Sequence, residues 1–151
     1  MTSTSIFRAP GFGGLMLFMG LVQAALSFAQ AAEHSANFES SGIAISINSE
    51  HLIELYQSTP DLQIIDTRLY EDHRLGHIER SLSLPAHKMD CAELARIVGS
   101  RNQPIVFYCN LGHGSSTRAI EIAANCGYQR LFRLEGGFVE WKDKDYPFVI
   151  E

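Results

Sequence analysis

Charge is almost missing from the first 32 residues, where Arg8 is the one ionisable side chain. Residues 11–28 form an apolar stretch with Gln23 inside it, and the small residues Ala29-Gln30-Ala31-Ala32 follow. A lone positive charge, an apolar run and a small-x-small ending predict a secretory signal over residues 1–31, cleaved after Ala29 or Ala31. Two other readings remain open at this stage: an uncleaved membrane anchor, since the run is just long enough to span, or a buried core helix. The expected localisation is therefore exported and periplasmic, with a membrane-anchored form facing the same compartment as the alternative. A membrane partner is expected only if the segment stays uncleaved.

An excess of basic charge is also missing. Twelve Lys and Arg stand against 17 Asp and Glu, a net charge of −5, and loss of Arg8 would make it −6. No nucleic-acid partner is expected of such a chain. Cysteine is scarce, with only Cys91, Cys109 and Cys126. Three scattered thiols are too few for a zinc site or a disulfide framework, so no metal or cofactor is expected. An odd count in an exported chain flags at least one free thiol. Cys91 and Cys126 could pair, could resolve an oxidised Cys109, or could simply be packed, and packing is the reading taken. Repeats and low-complexity tracts are absent, and 151 residues suit one core rather than two.

What is present is an alternation of short apolar runs with helical patterns. Residues 32–42 read as a polar linker, and the domain is expected over 43–151. Ile43, Ser46 and Ile47 suggest a first strand. Asn48 or Ser49 can cap a helix carrying Leu52, Ile53, Leu55 and Tyr56, which stops at Pro60. Residues 62–66 and 81–85 read as strands, Ala92, Leu94, Ala95, Ile97 and Val98 as a helix, Leu131–Leu134 as a last strand, and Phe138, Val139 and Trp141 as the face of a closing helix. This order predicts an α/β domain with a mainly parallel sheet, whose ligands gather beyond the carboxyl ends of the strands.

The chain is organised around residues 104–124. Ile105-Val106-Phe107-Tyr108 reads as a strand buried on both faces and ends at Cys109. The glycine-rich loop Asn110-Leu111-Gly112-His113-Gly114 follows, and Ser115-Ser116-Thr117 supplies N-cap chemistry for a helix carrying Ala119, Ile120, Ala123 and Ala124. A cysteine between a strand end and a helix N-terminus faces unpaired N–H groups that stabilise a thiolate. Cys109 is accordingly the candidate nucleophile, with the N–H groups of Asn110, Leu111, Gly112, His113, Gly114, Ser115 and Ser116 as an anion cradle. The alternative, a small hydrophobe ending a core strand, does not account for the glycines.

Four separated motifs carry a family resemblance. They are Asp66-Thr67-Arg68 with Glu71, then Gly76-His77-Ile78 with Leu84-Pro85, then Cys109-x-x-Gly112 ahead of Ser115, Ser116 and Gly127-Tyr128, then Leu134-Glu135-Gly136-Gly137 leading to Trp141. Together they resemble a rhodanese domain from about residue 43 to 148. The resemblance implies a five-stranded, mainly parallel sheet flanked by helices on both faces. It also implies a sulfurtransferase in which Cys109 carries a persulfide between a small anionic donor such as thiosulfate and a thiol or cyanide acceptor. Asp66 and Arg68 are expected as a supporting scaffold, with Glu71 pairing Arg68, and His77 as a structural histidine.

The loop departs from the family pattern at two points. Gly114 stands in place of the usual arginine, and the stretch to Gly127 holds one residue more than usual, which is expected to lengthen the loop. A longer loop resembles relatives acting on phosphate or arsenate, but those place arginine where Ser115 stands here. Arsenate reductase or phosphatase chemistry, and a silent module that binds a partner or carries sulfur, are the alternatives to sulfur transfer. His113 is a possible auxiliary cation, and Arg118, on the first helical turn, a possible supporting one.

Overall fold

A computed structural model describes residues 40–41 and 44–151, so the segment read as an export signal and most of the linker lie outside the described residues. The strands are β1 (Ser40–Ser41), β2 (Ala44–Ile47), β3 (Gln63–Asp66), β4 (His77–Ile78), β5 (Ser81–Ser83), β6 (Ile105–Tyr108), β7 (Leu131–Leu134) and β8 (Phe148–Val149). The helices are α1 (Ser49–Ser58), α2 (Tyr70–Leu75), α3 (Cys91–Ile97), α4 (Ser115–Asn125) and α5 (Gly137–Asp143).

The main sheet runs β1-β2-β7-β6-β3-β5. Five of these strands are mutually parallel, and β1 adds an antiparallel edge to β2. The expected five-stranded parallel sheet is therefore present. β6 lies at its centre, and all four of its residues are buried, as a strand covered on both faces requires. Their side chains alternate between two cores. Ile105 and Phe107 join Ile65, Leu94, Ala119 and Ala123 on the side of α3 and α4. Val106 and Tyr108 join Ile64, Leu52, Phe138 and Trp141 on the side of α1 and α5.

Capping follows local chemistry in two helices. Asn48 Oδ1 accepts from the His51 amide at 2.9 Å and opens α1, and Asp90 Oδ1 accepts from the Glu93 amide at 2.8 Å and opens α3. Elsewhere the expectations need correction. Leu131–Leu134 is not the last strand: β8 follows α5 and pairs antiparallel with β4, neither of which the apolar pattern marked. Nor are Cys91 and Cys126 simply packed. They form a disulfide joining the first residue of α3 to the residue that ends α4, with Cα atoms 5.4 Å apart. The two helices cross only in the fold, so their 35-residue separation conceals the pairing.

Candidate active site

Cys109 follows β6 directly and lines a cleft of about 550 Å3. The cleft is lined by the loops that leave three strands at their carboxyl ends. Thr67, Arg68 and Leu69 follow β3, Ala86 and His87 follow β5, and the Cys109 loop follows β6. Of the expected cradle, Asn110, Leu111, His113, Gly114 and Ser115 line the cleft, as do Arg118 and Asp72. Gly112 and Ser116 are buried beneath it.

Ser115 is not the N-cap that its hydroxyl suggested. Gly114 holds that position at φ 78°, with no side-chain cap hydrogen bond. The Ser115 hydroxyl instead meets Thr67 Oγ1 at 3.0 Å, and Thr67 Oγ1 donates to the Tyr108 carbonyl at 2.8 Å. No side chain therefore caps the first amides of this helix, and the Ser116 amide turns to the Cys109 sulfur.

Cys109 is 5% exposed as a residue. It donates to the His113 carbonyl at 2.7 Å and lies 3.4 Å from Ser116 Oγ. Burial pushes its pKa up, but hydrogen bonds from the Ser116 hydroxyl and amide and from the Leu111 amide outweigh burial and hold it below the ordinary thiol value. On ionisation the His113 contact is lost and Ser116 can turn its proton to the sulfur. The exposed His113 ring turns its Nδ1 to the Leu111 carbonyl oxygen, 2.8 Å away.

The backbone on the other side of the sulfur is clamped by α5. The Phe138 amide donates to the Cys109 carbonyl at 2.8 Å and the Val139 amide to the Asn110 carbonyl at 3.0 Å. Gly137, at φ 59°, lies so close that a Cβ there would overlap the Cys109 carbonyl oxygen. Glycine at 137 thus lets the N-terminus of α5 reach this loop.

Asp66 and Arg68 form the supporting scaffold, but with different partners from those expected. Asp66 is fully buried and accepts from the Arg68 amide at 3.0 Å, from Arg68 Nη2 at 2.6 Å, and from the Tyr108 hydroxyl at 2.9 Å. Arg68 pairs with this carboxylate rather than with Glu71, which is exposed. Its guanidinium also donates to the Gly76 carbonyl at 2.7 Å, sits 4.3 Å from the Phe138 ring centroid, and reaches Asn110 Oδ1 at 3.4 Å. Burial weakens its charge, but the hydrogen bonds and attraction of Asp66 prevail and raise its pKa. His77, expected in a turn, is buried in β4.

Sequence reasoning missed Thr67, Leu69, Asp72, Ala86 and His87. The signal for four of them was available: they fall just past β3 and β5, on the edge where parallel sheets gather ligands.

Fold and site together define a parallel α/β domain whose one free thiol sits in an anion-stabilising loop at the sheet's carboxyl edge. The chain belongs to the rhodanese-like domain family, whose model matches residues 49–144. It is 30% identical over 89 residues to a tRNA uridine(34) hydroxylase of Cronobacter sakazakii, covering 56% of this chain and 25% of that protein. It is 31% identical over 91 residues to a putative mitochondrial thiosulfate sulfurtransferase of Schizosaccharomyces pombe, covering 54% and 63%. The chain therefore spans under two thirds of either relative. Among solved structures, a rhodanese with anions from E. coli is 29% identical, with a TM-score of 0.51, covering 60% of this chain and 99% of that one.

Proposed function

We propose that this domain is a sulfurtransferase working through a Cys109 persulfide. The observation that carries the reading is a free thiol, held below its ordinary pKa by hydrogen bonds, in a cleft lined by its own loop and the start of α4. The Cys109 thiolate attacks the sulfane sulfur of thiosulfate, and the S–S bond breaks with its electron pair leaving on sulfite. The persulfide anion remains in the cradle. Cyanide or a thiolate then attacks the terminal sulfur and releases the Cys109 thiolate. Arg118 lines the cleft one turn into α4 and supplies the cation that Gly114 lacks. A phosphatase reading gains nothing from this geometry, since Ser115, six residues after the nucleophile, is turned to Thr67.

The test incubates the domain with thiosulfate and cyanide. Thiocyanate should form, and mass spectrometry after thiosulfate alone should find one added sulfur on the Cys109 peptide, removable by cyanide. Thiocyanate formation that survives Cys109→Ser would sink the reading. Release of phosphate from an aryl phosphate, or thiol-dependent arsenate reduction, without sulfur uptake would favour the rival chemistry.

We further propose an exported chain, supported by the Cys91–Cys126 disulfide, since such bonds persist in oxidising compartments. N-terminal sequencing from the native host should give a start near Gln30 or Ala32. An intact Met1 in the membrane fraction would mean an anchor instead.

A further inference from the structure

Away from the cleft, α2 and β4 bring together two histidines that sulfur transfer does not use. The rings of His73 and His77 are stacked, with centroids 3.7 Å apart and planes 10° apart, and both residues are 6% exposed. Each ring has one nitrogen committed. His73 Nδ1 lies 3.1 Å from Asp66 Oδ2, and His77 Nδ1 lies 2.9 Å from the His73 carbonyl oxygen. Both oxygens can only accept, so both Nδ1 atoms carry the proton and each neutral ring keeps its lone pair on Nε2. Among the described residues neither Nε2 has a hydrogen-bond partner.

A third donor arrives from the far end of the chain. β8 pairs with β4, His77 opposite Val149, and the Glu151 amide then donates to the Arg74 carbonyl at 3.0 Å. One ring nitrogen of each histidine and a carboxylate oxygen of Glu151 lie within 4.8 Å of one another. Ligand atoms around a tetrahedral zinc ion stand about 3.3 Å apart. The exposed Glu151 side chain can swing to close part of that gap, and on binding the two rings, now parallel within 10°, turn out of their stack until both in-plane lone pairs meet at the ion. The surroundings are also those of a metal site. A carboxylate behind one imidazole and a backbone carbonyl behind the other are the partners that orient metal-bound histidines and raise their basicity.

We propose that His73, His77 and Glu151 form a site for a divalent transition metal of the zinc class, with water completing the coordination. Two imidazole nitrogens and one carboxylate oxygen suit zinc, copper or nickel and disfavour calcium or magnesium. The ion would tie the C-terminal residues to α2. A histidine stack that merely fills space accounts for the burial but leaves two lone pairs beside a carboxylate with no cation between them.

The experiment uses the full chain, without a histidine tag, in a Cys109→Ser background so that the cleft thiolate cannot take the ion. Zn2+ is titrated by calorimetry, and binding is mapped by nitrogen NMR of the imidazoles. One ion per chain, Nε2 shifts at His73 and His77, and a rise in Tm with Zn2+ are expected. Glu151→Gln, at an exposed position, should leave the metal-free Tm unchanged and weaken binding at least tenfold. No binding, equal binding by Glu151→Gln, or shifts confined to His34, His51, His87 and His113 would each overturn the proposal.

Discussion

At the scale of single residues, the nucleophile's acidity rests on a contest between burial and hydrogen bonds, and Ser116 tips it. A hydrogen bond to a charged group contributes about 1.5–3 kcal/mol. Ser116→Ala should therefore slow alkylation of Cys109 at pH 6 by roughly tenfold or more, while alkylation at pH 10 changes little. The same ionisation couples to stability. A folded-state pKa below the unfolded one means that the unfolded chain holds more proton between the two values. The thiolate's contribution is then fully present above the unfolded pKa, about 8.5, and is lost as pH falls through the folded value. Urea midpoints of the native chain and Cys109→Ser should diverge as pH rises through that window. Arg118→Ala should raise KM for thiosulfate more than it lowers kcat, because its charge meets the donor and not the breaking bond.

At the scale of elements, two glycines in the left-handed half of backbone space have unequal duties. At Gly114, φ 78°, a Cβ would meet nothing within 4 Å, so Gly114→Ala should cost only backbone strain of about 1–3 kcal/mol. At Gly137 the same strain is joined by overlap with the Cys109 and Asn110 backbone. Gly137→Ala should be the more destabilising of the two in thermal melts, and it should also lower sulfur uptake, since α5 must withdraw from the loop. The longer elements were legible beforehand because their spacing is set locally: β6 is one unbroken apolar run, and α1 opens on an asparagine cap. β4 and β8, two residues each, were not, because a pair of residues has no period and its partner lies some 70 positions away. The helix start at Gly114 was misread for a different reason. Serine is a good cap when its hydroxyl is free, and here Thr67, distant in sequence, claims it. Asp66 and Arg68 were recognised as scaffold, yet the choice of Asp66 over Glu71 depends on burial, which spacing alone does not report.

At the scale of the whole molecule, the disulfide fastens the helix that follows the Cys109 loop to the preceding one across 35 residues. Chain-entropy reasoning assigns about 4 kcal/mol to a loop of that size. Reduction should lower the urea midpoint accordingly, measured in Cys109→Ser so that persulfide chemistry plays no part. The bond has a second consequence. With two of the three cysteine sulfurs locked together, the chain keeps a single thiol able to hold a transferable atom. In the proposed reaction each molecule is then either empty or singly charged, with no neighbouring site to share or misplace the cargo. The charged fraction at steady state becomes a direct gauge of donor supply against acceptor demand.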